Sequence, residues 1–173
     1  MEARELSSTE ATPLQLSLRI RHPSIDPDEI SRALGLEPEH SFKAGASRGP
    51  RSSGHHTQTY WLAPASVESW SDPFEPSFLA TIAERSGRPV ALSAEKWQKV
   101  AENLRTRSPE LQMLHFLNRL NGRQPFLQQI QREGGDVSLI TVIERESSVD
   151  FTLSPSVSRL LAELDMSVEF KFA

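Results

Sequence analysis

Residues 14–35 read LQLSLRIRHPSIDPDEISRALG and contain a strand followed directly by a helix. Leucine and isoleucine alternate with polar residues from Leu14 to Ile20, which predicts a strand with one buried face. His22-Pro23 ends this strand, because proline has no backbone N–H to give to a neighbouring strand.

The helix in this stretch has a start signal and a stop signal. Asp26 is the expected N-cap, Pro27 takes the first helical position, and Glu29 completes a capping box. Gly35 supplies the left-handed residue that ends the helix. The apolar stripe that we expect to be buried consists of Ile30, Ala33 and Leu34.

Further along the chain, apolar spacing predicts more strands and helices. Strands are expected around residues 41–43, 58–62, 137–144 and 168–172, and helices from residues 93, 108, 125 and 155. The stretch from Gly45 to Thr57 is rich in glycine, serine and arginine, and it predicts an exposed, mobile loop. Strand 137–144 is apolar on both faces, which favours a central position in the sheet.

These elements predict one α+β domain, with a mainly antiparallel sheet and helices on one face. The 173 residues suit a single domain better than two. Residues 1–13 are expected to be a flexible lead-in. Residues 14–173 form the domain, with a helical insertion at about 63–108.

Two segments of the chain resemble each other. Ile30-Ser31-Arg32-Ala33-Leu34 and Val157-Ser158-Arg159-Leu160-Leu161 each follow a strand and a proline-containing cap. This similarity predicts an internal duplication of split-βαβ, ferredoxin-like type. Coincidence is the alternative explanation.

Composition narrows the classes of function. The chain has no cysteine, which excludes a disulfide framework, cysteine zinc sites and a thiol nucleophile. Its net charge of −4 argues against a dedicated nucleic-acid binder. No run approaches the roughly 18 apolar residues of a membrane span. The first residues lack the basic start of a signal peptide, so we expect a cytoplasmic protein.

Five short stretches of the chain carry a family resemblance. They are Asp26-Pro27-Asp28-Glu29-Ile30, Leu34-Gly35-Leu36-Glu37-Pro38, Lys43-Ala44-Gly45, Tyr60-Trp61-Leu62 and Leu153-Ser154-Pro155. In these residues the chain resembles the bacterial family called domain of unknown function 4279. The resemblance covers the chain from about Leu14 to Phe172, although residues 63–108 match poorly. It implies an α+β architecture and a bacterial cytoplasmic setting, and it implies no reaction.

No catalytic, metal or cofactor site is predicted. Residues 49–56 have the glycine spacing of a phosphate-binding loop, but His55 stands where the lysine is needed and a strand follows. Residues 45–49 read G-x-S-x-G without the strand-to-helix turn that a nucleophilic serine requires. The chain's histidines have no metal-ligand spacing such as H-E-x-x-H.

A basic stretch beside aromatic residues is the candidate binding site, formed by Lys43, Arg48, Arg51 and Trp61. We expect a non-enzymatic protein that binds another protein, in the specific form of an immunity-type protein that neutralises a toxin. The alternative is a small-ligand-binding protein or enzyme that uses segment 43–61. Nucleic acid is disfavoured by the net charge, and we expect Trp61 to be buried.

Overall fold

A computed structural model describes residues 14–49, 53–65, 109–143 and 153–172. The strands are β1 (Leu14–His22), β2 (His40–Phe42), β3 (Thr59–Pro64), β4 (Asp136–Ile143) and β5 (Ser167–Phe172). The helices are α1 (Pro27–Leu34), α2 (Pro109–Leu120), α3 (Gln124–Arg132) and α4 (Pro155–Glu163), with a 3-10 turn (Asn121–Arg123) between α2 and α3.

The strands form one sheet in the order β2-β3-β1-β4-β5. Strand β4 runs parallel to β5, whereas the other neighbouring pairs are antiparallel. The α+β class with a mainly antiparallel sheet is therefore confirmed. Strand β4 lies between β1 and β5, as its apolar residues on both faces predicted.

The N-cap at Asp26 and the stop at Gly35 are confirmed for α1, but the predicted capping box is not, because the Asp26 side chain bonds the N–H of Asp28 and not that of Glu29. The carboxylate of Asp26 accepts a hydrogen bond from the backbone N–H of Asp28 at 3.0 Å. Gly35 ends the helix at a φ of 67°, which a side chain rarely tolerates. Ile25 and Ile30 flank the cap and are both buried, as in a hydrophobic staple.

The core lies on one face of the sheet. Leu18 on β1, Trp61 on β3 and Leu139 on β4 are fully buried there. Each of the four described helices contributes buried side chains to the same cluster, including Ile30, Phe116, Leu127 and Leu161. Because side chains alternate along a strand, the intervening residues lie on the opposite face, which we call the outer face. Its residues include Phe42, Tyr60, Arg19, Arg21, Ser138 and Glu169.

The predicted loop at 45–57 is instead a paired hairpin in its described part. Ser47 and His55 form a bridge in the same register that pairs Phe42 with Tyr60. The N–H of His56 donates to the carbonyl of Ala46 at 2.9 Å. These bonds join backbone groups. The pairing therefore does not require the alternating apolar side chains by which a strand is predicted from sequence. We call residues 43–49 and 53–58, which extend β2 and β3, the arm.

The ferredoxin-like duplication is not confirmed. Strands β1 and β2 are connected by α1 and run parallel, but β3 lies between them. Strands β4 and β5 are connected through α4 and pair directly. The two similar segments therefore belong to strand–helix–strand units of different topology.

Other expectations fall at the edges of the described ranges. Strand β3 extends to Pro64, and residues 66–108, most of the predicted helical insertion, lie outside the described residues. The lead-in at 1–13 also lies outside it. On β5 the alternating apolar residues are only partly covered, since Phe170 is 38% and Phe172 is 64% exposed.

Candidate functional site

Of the predicted site residues that the structure describes, Trp61 does not join Lys43 and Arg48 on the surface. Trp61 is fully buried on the core side, and its indole N–H donates to the hydroxyl of Ser31 at 3.0 Å. Lys43 and Arg48 are exposed on the arm, and Arg51 lies outside the described residues. The burial predicted for Trp61 is confirmed. The side chain is therefore placed to hold α1 against the sheet.

The base of the arm is tied to the start of α1 by an ion pair. The ammonium of Lys43 lies 2.6 Å from a carboxylate oxygen of Asp26. This hydrogen bond lowers the pKa of Asp26 and raises the pKa of Lys43. Asp26 thus serves two structural roles, because its other carboxylate oxygen caps the helix. The cationic end of Lys43 is engaged by the protein itself.

An aromatic stack lies on the outer face where the arm leaves the sheet. The ring of Phe42 stacks on that of His56, with centroids 3.7 Å apart and planes 22° apart. It also stacks on the ring of Tyr60, with centroids 5.1 Å apart and planes 13° apart. All three side chains are partly exposed. We call Phe42, His56 and Tyr60 the aromatic stack.

The aromatic stack was not predicted from the sequence, in which Phe42 falls only within the short strand expected at 41–43. The available signal was the pairing of two predicted strands, since Phe42 and Tyr60 oppose each other directly in the β2–β3 register. His56 joins them because the arm continues that register and returns the chain to the same side.

A polar cluster occupies the outer face on the other side of β1. The buried guanidinium of Arg19 forms two hydrogen bonds with the carboxylate of Glu169, one of them at 3.0 Å. It also donates to the hydroxyl of Ser138 at 3.1 Å. Ser138 in turn donates to Asp136 at 2.9 Å. The hydrogen bond from Arg19 lowers the pKa of Glu169, and Arg21 adds to this effect.

The arm is the cationic part of an acidic protein. None of residues 40–67 is aspartate or glutamate, whereas this stretch contains Lys43, Arg48 and Arg51. Carboxylates lie at its borders, with Glu39 before β2 and Asp26 beside Lys43. Residues 40–67 therefore carry three positive charges and no negative charge, whereas the whole chain has a net charge of −4.

The chemistry offered by this region is stacking and ion pairing. Within the described residues, no group of three or more histidine, aspartate or glutamate side chains is placed to hold a metal ion. No helix among these residues is long and apolar enough to cross a bilayer. The exposed aromatic and cationic groups suit recognition of another molecule.

Comparison of the chain with protein-family models, curated proteins and solved structures finds no match in any of the three.

Proposed function

We propose that this chain is a non-enzymatic binding protein that engages a partner protein through the aromatic stack and the arm. The observation that carries the proposal is the partly exposed stacking of Phe42 between His56 and Tyr60. Aromatic and arginine side chains dominate the binding energy of protein interfaces. Here an exposed arginine, Arg48, lies on the arm that carries one ring of the stack.

The backbone geometry supports this proposal, because the candidate surface is held before any partner arrives. Phe42 and Tyr60 belong to paired strands, and His56 is held by backbone hydrogen bonds to Gly45 and Ala46. The Lys43–Asp26 ion pair fixes the base of the arm to α1. A surface ordered in advance loses less conformational entropy on binding.

The more specific form of the proposal is an immunity-type protein whose partner is a toxin. Arg48 on the arm would then pair with a carboxylate on the surface of that toxin. The resemblance to domain of unknown function 4279 and the cytoplasmic location belong to the same proposal. The small-ligand alternative loses support from the burial of Trp61, which was its aromatic residue.

The test uses affinity capture from native cells with four variants of the full chain. Phe42→Ala removes the centre of the stack, and Arg48→Glu reverses a charge on the arm. The matched controls are Phe172→Ala, which removes an exposed aromatic ring on β5, and Arg159→Glu, which reverses an exposed charge on α4. Melting curves establish that each variant is folded.

We expect the wild type and both controls to retain one partner in stoichiometric amount. Phe42→Ala and Arg48→Glu should lose it, and titration of the purified partner should reproduce the difference. A preparation without a partner would overturn the proposal. A partner that is lost only with Phe172→Ala or Arg159→Glu would place binding elsewhere.

A further inference from the structure

We infer that the partner segment bound by the aromatic stack and the arm is an acidic stretch of protein. This inference rests on the proposed function and adds the chemistry of the partner. It is carried by the absence of acidic residues from positions 40–67, which include Lys43 and Arg48, next to aromatic rings that are partly exposed.

The arm offers cationic groups without any acidic residue of its own. Arg48 is exposed, and no ion pair of its side chain occurs within the described residues. A guanidinium binds a carboxylate through two parallel hydrogen bonds, which makes arginine suited to acidic side chains.

The aromatic stack indicates which residues the partner segment contains beside its acidic side chains. Phe42 and Tyr60 present partly exposed rings at the base of the arm, beside Arg21 on β1. A peptide with acidic residues near an apolar or aromatic residue can pair with Arg48 and pack on these rings at once. Acidic motifs are commonly recognised by arginine in this way.

The surroundings of the stack argue against a nucleic-acid strand. A single strand needs a positively charged groove that follows its backbone past the stacked bases. Here Glu39 precedes β2 and is 60% exposed. On the far side of β1, Arg19 and Arg21 pair with the carboxylates of Asp136 and Glu169, so these arginines are not free to bind phosphates. A short acidic segment needs only Arg48 and the stack.

The test measures binding of defined probes by fluorescence anisotropy. The first probe is a labelled short peptide of glutamates with one central tryptophan, and the second is the same peptide with glutamine in place of glutamate. The third is a labelled oligothymidylate of the same net charge as the glutamate peptide. Each is titrated with wild type, Phe42→Ala, Arg48→Glu and the controls Phe172→Ala and Arg159→Glu.

We expect the glutamate peptide to bind the wild type and both controls, and to weaken with added salt. Arg48→Glu should lower its affinity by about tenfold, as expected for loss of one interfacial charge contact. Phe42→Ala should also weaken it, and the glutamine peptide should bind poorly. Tighter binding of oligothymidylate would overturn the inference in favour of nucleic acid.

Failure of this inference can be distinguished from failure of the proposed function. If the glutamate peptide does not bind, or binds Arg48→Glu equally well, the inference is wrong. The proposed function would still hold if a captured partner is lost with Phe42→Ala and kept with the two controls. If neither the peptide nor a captured partner depends on Phe42 and Arg48, both are wrong.

Discussion

Arg19 on β1 and Glu169 on β5 form a bidentate ion pair across the outer face of the sheet, reaching over the intervening strand β4. The two residues are 150 positions apart in the chain. The Arg19 side chain is only 6% exposed, whereas that of Glu169 is 36% exposed. The pair therefore links the central strand to the edge strand and compensates the charge of a buried cation.

Replacement of Glu169 by glutamine should destabilise the protein at neutral pH. The substitution keeps the shape of the side chain but removes the charge that compensates Arg19. We expect a loss of about 1–3 kcal/mol in the free energy of unfolding. This is less than the loss for a fully buried pair, because Glu169 is partly exposed. Urea denaturation of both proteins measures the difference.

The effect of Glu169→Gln should disappear in acid. The pKa of Glu169 is lowered in the folded state, so its stabilising contribution is present above the unfolded pKa of about 4.3. The contribution is lost as the pH falls through the lower folded value. The two urea midpoints should therefore converge below about pH 4. A difference that is constant between neutral and acidic pH would contradict the role of the charge.

Replacement of Ser31 by alanine should destabilise the protein even though alanine favours helix. The hydroxyl of Ser31 accepts the indole N–H of the buried Trp61. An unpaired buried donor costs about 1–3 kcal/mol, whereas the gain in helix propensity is a few tenths. Ser158 is the matched control, since it holds the corresponding position in α4 and is exposed. Ser158→Ala should be neutral or slightly stabilising, and equal effects of both substitutions would contradict the role of this bond.

His22 should act as the acceptor that orders the turn between β1 and α1. Its Nδ1 accepts hydrogen bonds from the N–H groups of Ser24 at 3.1 Å and Ile25 at 2.9 Å. His22→Ala should cost about 1–3 kcal/mol by leaving these donors unpaired. His22→Asn should cost less, because its side-chain oxygen can accept from the same turn. Equal unfolding free energies for the two variants would show that the acceptor does not contribute.

Gly135 occupies a position where a side chain has no room. A Cβ atom there would lie 2.6 Å from Cγ2 of Ile130 and 2.9 Å from the carbonyl oxygen of Arg21. Gly135→Ala should therefore destabilise by about 1–3 kcal/mol through overpacking. Gly122→Ala is the control, since nothing lies within 4 Å of its added Cβ. In thermal melts, Gly135→Ala should have a lower melting temperature than Gly122→Ala. Equal melting temperatures would contradict this steric argument.

Short-range sequence patterns predicted the helix caps and the buried face of α4, which depend on residues close together in the chain. The caps at Asp26 and Ser154 are confirmed, because each side chain accepts a hydrogen bond from the first turn of its own helix. The buried stripe of α4 is confirmed for the same reason, since its spacing alone places Val157 and Leu161 on one face. These signals involve residues within a few positions of each other.

Long-range pairing was not predictable in the same way. The parallel pairing of β5 with β4 and the Arg19–Glu169 ion pair depend on strand order, which no local pattern encodes. The sequence predicts a loop where the arm lies, because the arm is rich in glycine and serine and its strands pair through backbone groups. The aromatic stack was not predicted either, because it depends on this pairing. The predicted candidate site lies on the segment that contains the arm, but it includes Trp61, which is buried in the core.

Hydrogen–deuterium exchange of the complex with its captured partner tests the central claim most directly. Amides of β2, the arm and β3 are expected to exchange more slowly in the complex, because the partner covers the aromatic stack and Arg48. Amides of α2, α3 and α4 should exchange as in the free protein. Slower exchange confined to these helices, with no change between residues 40 and 62, would contradict the assignment of the binding surface.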